Sequence, residues 1–395
     1  MRNAMSTALI VHSFSLYVNP GRQNPGRNRD GASLRFRRAA YRALRCTGTI
    51  GRTLGTNNAI IHGTGLMGAS IGLGLSAAGW EVSGWDPDPG ASLVARERGA
   101  ISSILSGPDE GVSEADLLVL AGPPPATIEA LATLETGALV TDISSVKSPI
   151  VDAARRLRRF VPGHPMAGSA STGPEHASAH LFRGATWVLC DDLANPADIE
   201  RMKEMVAILG ANPVVMDAAS HDERVALVSH LPRLLASALL QMAEDTPGAT
   251  ELSAGSFRDL TRVAGSDPDW WSDILIGNKD AMDRTIDEMQ RLLGRWRDEI
   301  AREDATAIQA HLATTAAVRM GLGAPLTAVR VVLFDKPGEI GLVGRSLERS
   351  GVDLRDLHIR HAEYGGGGVL TLSVSEEEAG SLKAALVEDG FEIED

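Results

Sequence analysis

The chain has 395 residues, 44% of them hydrophobic, with 38 basic and 51 acidic side chains for a formal charge of −13; that length exceeds one ordinary core and fits about two or three domains. Residues 1–55 carry ten arginines against the single acid Asp30, so the rest holds 28 basic and 50 acidic residues, which argues against a nucleic-acid or membrane partner, since both need basic surface. Cys46 and Cys190 are the only two cysteines, too few for a disulfide framework or a metal cluster, so a cytoplasmic location is expected, and no long apolar run reads as a membrane span.

Residues 1–56 read as a disordered arginine-rich leader outside the fold. From residue 57 the pattern becomes regular. "AIIHG" reads as a buried strand, "LMGASIGLGLSAAG" as a helix of small residues and "WEVSGWD" as a second strand. Strands in "DLLVLAG", "ALVTDIS", "RFVPGH", "ATWVLC" and "NPVVMD" then alternate with helices in "PATIEALATLE", "KSPIVDAARRL" and "ADIERMKEMVAILG". Such alternation predicts an α/β fold over 57–217, a doubly wound, mostly parallel Rossmann sheet with helices on both faces. Over 218–323 the apolar residues recur at helical spacing, as in "HDERVALVSHLPRLLASALLQMAE", so an all-helical domain is expected, with faces that invite a homodimer. Breakers at Gly321, Gly323 and Pro325 mark a linker. Residues 327–395 follow the order βαββαβ, a ferredoxin-like topology.

The chemistry starts at "GTGLMG". Gly63, Gly65 and Gly68 fall between a strand and a helix; the first allows a tight turn, the second lets backbone approach a pyrophosphate, and the third permits close packing. Leu66 and Met67 open the helix, whose free N–H groups suit phosphate. Asp86 ends the next strand 23 residues after Gly63, where a carboxylate can accept from a ribose and would repel a 2′-phosphate, so NAD is expected rather than NADP. Gly122 and Pro123 in "AGPPP" end another strand at the edge where ligands bind. His164, held extended by Pro165, is either a base that takes up the proton accompanying hydride transfer or a packing histidine. His176 and His180 stand four apart without a third ligand, and no metal is expected.

"TDISSVK", "GHPMAG", "SHLP" and "GSFRDLTRVAGSDPDWWSDILIGN" follow the glycine fingerprint in this order. Together they resemble the prephenate/arogenate dehydrogenase family of tyrosine biosynthesis, over about residues 57–320. The resemblance implies that His164 accepts the ring-hydroxyl proton, that Ser145 supports hydroxyl and histidine, and that Arg262, His230 and Gly255 belong to the substrate site. Ser145 could instead cap the helix near Lys147, Arg262 could be a surface ion-pair partner, and His230 a core histidine. Two positions depart from the family pattern. Ala170 stands where prephenate-preferring members often carry an acid, and Arg233 where "SHLPH" would end in histidine, adding a possible carboxylate contact. The substrate implied is prephenate, with its amino analogue arogenate as the alternative.

The C-terminal order, with "DKPGEIG", resembles an ACT domain, which implies an amino-acid effector such as tyrosine meeting the backbone near Gly338, or a dimerisation module without a ligand. Rival readings of the whole chain are a β-hydroxyacid dehydrogenase of related architecture and a non-catalytic amino-acid sensor.

Overall fold

The computed structural model describes residues 57–394, apart from 168–170, 266, 322–325, 335 and 362–367. The expected leader and Ala170 therefore lie outside the described residues. Six strands, β1 (Asn58–His62), β2 (Glu81–Trp85), β3 (Ser103–Ile104), β4 (Leu117–Leu120), β5 (Leu139–Asp142) and β6 (Phe160–Val161), form a parallel sheet in the order β3-β2-β1-β4-β5-β6. Both faces are covered at the centre of the sheet, which is why β4, Leu-Leu-Val-Leu, is a continuous apolar run buried throughout. Ile61 and Val119 pack on one side with Ile71 and Leu75 of the helix Leu66–Ala77. Ile60, Leu118 and Val140 pack on the other with Ile150 and Phe160. Chain order reverses between β1 and β4, and such a reversal opens a crevice at the carboxyl ends of the strands.

The expected single strand "RFVPGH" is instead two strands in different sheets. Pro162 has no N–H to extend the ladder, and its carbonyl accepts from Cys190 N at 2.8 Å. Beyond it, β7 (Gly163–Pro165) pairs antiparallel with β8 (Thr186–Cys190), which runs parallel to β9 (Asn212–Met216). His164 thus sits on a separate three-stranded sheet beside the nucleotide-type sheet.

Helices Ala218–Val225, Leu231–Glu244, Gly255–Thr261, Pro268–Gly277, Lys279–Ala301 and Ala305–Gly321 follow. "HDERVALVSHLPRLL" reads as one uninterrupted helix, yet Ala226–His230 is a π turn in which Leu231 N reaches Ala226 O. Pro232 removes one donor from the ordinary ladder, and single π turns recur where a helix must re-aim side chains. The run Ala218–Glu244 is 27 residues long, with mean hydropathy 1.3 over its most apolar window, a length and composition that a helix of a folded core also reaches. Its buried His221, Asp222, His230 and Arg233 belong to the polar cluster described below.

The last strands, β10 (Leu326–Leu333), β11 (Asp356–His361), β12 (Gly368–Ser375) and β13 (Glu392–Glu394), form an antiparallel sheet in the order β11-β12-β10-β13. Val329, Val331, Leu370 and Leu372 pack with Val343 and Leu382 of the helices Glu339–Ser350 and Glu376–Glu388.

Candidate active site

The glycines meet the demands of a phosphate turn. Gly63 has φ +91°, and a Cβ there would lie 2.7 Å from the Ala121 carbonyl carbon. A Cβ on Gly68 would come within 1.8 Å of Gly63 O, whereas one on Gly65 would meet nothing within 4 Å among the described residues. Backbone crowding thus fixes two of these glycines, and open space lies beside the third. Gly65 caps Leu66–Ala77 without a side-chain bond, so the first N–H groups of that helix, those of Leu66 and Met67 among them, lack intrahelical acceptors and face outward as an anion cradle.

Asp86 closes this turn. Its carboxylate accepts from Thr64 N at 2.6 Å and from Asp88 N at 2.9 Å, which leaves further lone pairs for a diol. Gly122 and Pro123 follow β4 on the other side of the crevice, with Pro123 at the start of the helix Pro124–Thr133. Open space beside Gly65, free N–H groups and an acceptor at the end of β2 fit a dinucleotide.

His164 is buried, and its Nδ1 stands 2.8 Å from Nε2 of His221. His221 Nδ1 is in turn 2.8 Å from Asp222 Oδ1. Asp222 also accepts from the backbone N–H groups of Lys147 and Ser148, each at 2.8 Å. Burial alone would raise the Asp222 carboxyl, but the bonds from His221, Ser148 and Lys147 outweigh it and hold the group below its ordinary value. His164 is pushed well below the usual imidazole range, first by burial and then by the neighbouring His221, Lys147 and His230. A histidine in this state is neutral at pH 7 and able to accept a proton.

A second buried pair steadies the strand beneath. Lys147 Nζ donates to Asp142 Oδ2 at 2.5 Å and to Gly163 O at 2.7 Å, with both side chains fully buried. Asp142 Oδ1 accepts from Gly163 N at 3.1 Å. The loop after β5 is thereby tied to the residue preceding His164, and this loop carries Ser145. The alternative role for Ser145 is not realised, since the helix Ser148–Ala154 starts at Lys147 without a side-chain cap.

The polar cluster continues into the helices. Asn278 Nδ2 donates to Asp222 O at 2.8 Å and lies 3.2 Å from His230 Nδ1. His230 is lowered to about 4, mainly by burial, and meets Trp271 edge-on at 6.0 Å. The Arg233 guanidinium stands 5.6 Å from the centre of the Trp271 ring and donates to Ser237 Oγ. The structure therefore joins His164, His230 and Arg233 through His221, Asp222, Asn278 and Trp271.

Arg262 and Gly255 sit apart from this chain of contacts. Arg262 is exposed at the turn after Gly255–Thr261, and Gly255 lines a cleft of about 310 Å³ with Ser256, Asp259, Arg330 and His358. Gly338 has φ +94° at the start of Glu339–Ser350. His176 ends a short 3-10 turn, Pro174–His176, and His180 lies beyond it, so the two do not share a helix face.

Sequence reading missed His221, Asp222, Lys147, Asp142, Asn278 and Trp271. The adjacent pair in "SHDER" was the available signal: a His-Asp dipeptide on an apolar helix face calls for a partner once it is buried.

The chain matches the model of the prephenate dehydrogenase nucleotide-binding domain over residues 71–216 and that of the prephenate dehydrogenase dimerization domain over 217–314. It is 35% identical over 266 residues to the prephenate dehydrogenase of Lactococcus lactis, covering 63% of this chain and 73% of that relative. The chain belongs to the prephenate dehydrogenase family. The family match starts beyond the glycine turn, so that turn rests on its own geometry. The cyclohexadienyl dehydrogenase of Zymomonas mobilis is 32% identical over 279 residues, covering 64% of this chain and 95% of that relative. Among solved structures, Aquifex aeolicus prephenate dehydrogenase in complex with hydroxyphenyl propionate and NAD+ is 27% identical with a TM-score of 0.63, covering 69% of this chain and all of that one. The arogenate dehydrogenase of Synechocystis is 26% identical with a TM-score of 0.61, over 67% of this chain and all of that one.

Proposed function

We propose that this member of the family oxidises and decarboxylates prephenate to 4-hydroxyphenylpyruvate with NAD. The observation that carries the reading is His164: a buried, neutral imidazole on a short strand, backed by hydrogen-bonded side chains, in a chain that also presents a dinucleotide cradle. NAD bound there supplies a hydride acceptor.

The other steps belong to the protein. His164 takes the ring-hydroxyl proton as C4 becomes a carbonyl. Cleavage of the bond to the ring carboxylate leaves its electron pair in the ring, and His164 returns the proton to the phenolate oxygen, because the balanced reaction releases none. Ser145 supports the hydroxyl from the loop that Lys147 ties down. Arg262, exposed and planar, suits a carboxylate clamp, with Gly255 on the same segment. His230 and Arg233 line the far side of the ring. Arogenate is the second reading, favoured by the likeness to the Synechocystis enzyme and by the unusual Arg233 beside Trp271. Appearance of reduced nicotinamide with purified protein, offered prephenate and arogenate separately, tests both; turnover of neither overturns the reading.

A homodimer is proposed through the helical segment. Leu227, Val228 and Met242 are exposed there, and a groove of about 260 Å³ between Leu227, Leu231, Ala281, Met289 and Leu292 lies within the stretch that matches a dimerization domain. We read residues 327–395 as a ferredoxin-like, ACT-type module that takes an aromatic amino acid such as tyrosine near Gly338. The cleft shared by Gly255, Asp259, Arg330 and His358 supports this, since a shift of that sheet would reach the segment bearing Arg262. Domain limits of 57–217, 218–323 and 327–395, and a cytoplasmic location, complete the proposal.

A further inference from the structure

We infer that His221 and Asp222 are positioning residues that set the tautomer of His164, so that the ring nitrogen turned to substrate is the one carrying a lone pair. The argument runs along the hydrogen bonds and rests on His164 being the base of the proposed reaction.

Asp222 accepts from Lys147 N, Ser148 N and His221, and an ionised carboxylate has no proton to give. Nδ1 of His221 must therefore be the donor in the 2.8 Å contact with Asp222 Oδ1. Neutral imidazole carries one N–H, so Nε2 of His221 is an acceptor. The 2.8 Å contact between that Nε2 and His164 Nδ1 then needs a proton on His164 Nδ1. His164 Nε2 is left with its lone pair, the state a base needs, and no other residue has to move to provide it.

The same chain steadies the charged state. When His164 Nε2 takes the hydroxyl proton, the imidazolium keeps its Nδ1–H on His221 and spreads its charge toward Asp222, then gives the Nε2 proton back to the phenolate. The opposite arrangement is chemically definite. Were His221 an imidazolium, its Nε2–H would donate to His164 Nδ1, neutral His164 would be protonated on Nε2, and the base would be lost.

The pair is built for this. Asp222 is held by two backbone N–H groups that begin the helix Ser148–Ala154, and the Asp222 carbonyl accepts from buried Asn278. The π turn at Ala226–His230 follows immediately, so His221 on the preceding helix and His230 at the end of the turn are both drawn into the cluster.

Two measurements test the inference. The first is long-range proton–nitrogen NMR correlation on protein with nitrogen-labelled histidine, assigned by the His164→Ala and His221→Leu spectra. A protonated Nδ1 and bare Nε2 on His164 are expected; a protonated Nε2 in the wild-type protein overturns the inference. The second is kinetic. Asp222→Asn can donate to His221 and reverse the chain, so kcat should fall about 10²-fold or more with KM and NAD affinity little changed. Should Asp222→Asn fail to fold, His221→Gln and His221→Leu leave the Asp222 backbone bonds intact. Glutamine can donate to Asp222 and accept from His164, so His221→Gln should exceed His221→Leu in kcat by about tenfold, the worth of one hydrogen bond. Wild-type kcat in His221→Leu, or equal activity in the two variants, overturns it. If the wild-type enzyme turns over neither substrate, the proposed reaction fails, and the NMR result decides the tautomer separately.

Discussion

The two halves of the candidate site are built from different materials. The cofactor half is backbone: three glycines and the free N–H groups of one helix within six consecutive residues, closed by Asp86. The proton-handling half is side chain: His164, His221, Asp222, Lys147, Asp142, Asn278 and His230, drawn from β5, the loop after it, β7 and the helical segment, and all buried. Backbone dipoles keep their orientation at any pH and suffer chiefly from added atoms. A buried set of titratable groups keeps its geometry only while each proton stays in place, and it suffers from atoms removed.

The largest expected effects test that contrast. His164→Ala should cut kcat by about 10²- to 10⁴-fold, roughly 2.7–5.5 kcal/mol of transition-state stabilisation, while NAD affinity measured by titration calorimetry stays put. A comparable loss of NAD binding would show that the two halves are not separable. Lys147→Met strands the buried Asp142 carboxylate, and breaking such a pair costs about 3–5 kcal/mol. Denaturant unfolding reads this directly, and a stability change below about 1 kcal/mol would mean the pair contributes little.

The glycines sharpen the comparison from the other side. Gly68→Ala drives a methyl into Gly63 O and should destabilise the fold by about 1–3 kcal/mol. Gly65→Ala meets open space, so its melting temperature should match the wild type, yet NAD binding should weaken because the methyl occupies room that the pyrophosphate needs. If Gly65→Ala binds NAD normally, the cradle lies elsewhere.

A pH slope tests the buried titratable groups directly. Burial lowers both His62 and His230 to about 4 from 6.5. The unfolded histidines take up protons near 6.5 and the folded ones only near 4, so the unfolded state binds more protons in between. Stability is then fully present above about pH 6.5 and falls as pH drops toward 4, by on the order of 3 kcal/mol for each histidine. His62 Nε2 is buried with no hydrogen-bond partner among the described residues, so His62→Leu should keep its stability at pH 7 and flatten the acid slope. An unchanged slope would assign acid sensitivity to the His164 cluster alone.

Local patterns made much of this readable in advance. The turn at Gly63, the acceptor at Asp86 and the strand-helix alternation depend on residues within about 25 positions, and backbone sterics there admit few solutions. His164 and His230 stood out through ordered motifs, and both fall in the polar cluster. The break at Pro162 was misread because two short strands with one proline between them look like one strand when only their hydrophobicity is compared.

What the sequence determined by itself is most of the elements, the glycine turn and the presence of a histidine in an extended segment, because these follow from the backbone and from side-chain periodicity. Tertiary structure alone decided which nitrogen of His164 faces outward, since that depends on His221 and Asp222 arriving from 57 and 58 residues away, and on a π turn that helical periodicity does not announce. It also set Arg262 and Gly255 apart from the buried cluster. Hydrogen bonds act over about 3 Å, and separation along the chain carries no such distance until the sheets and helices have packed.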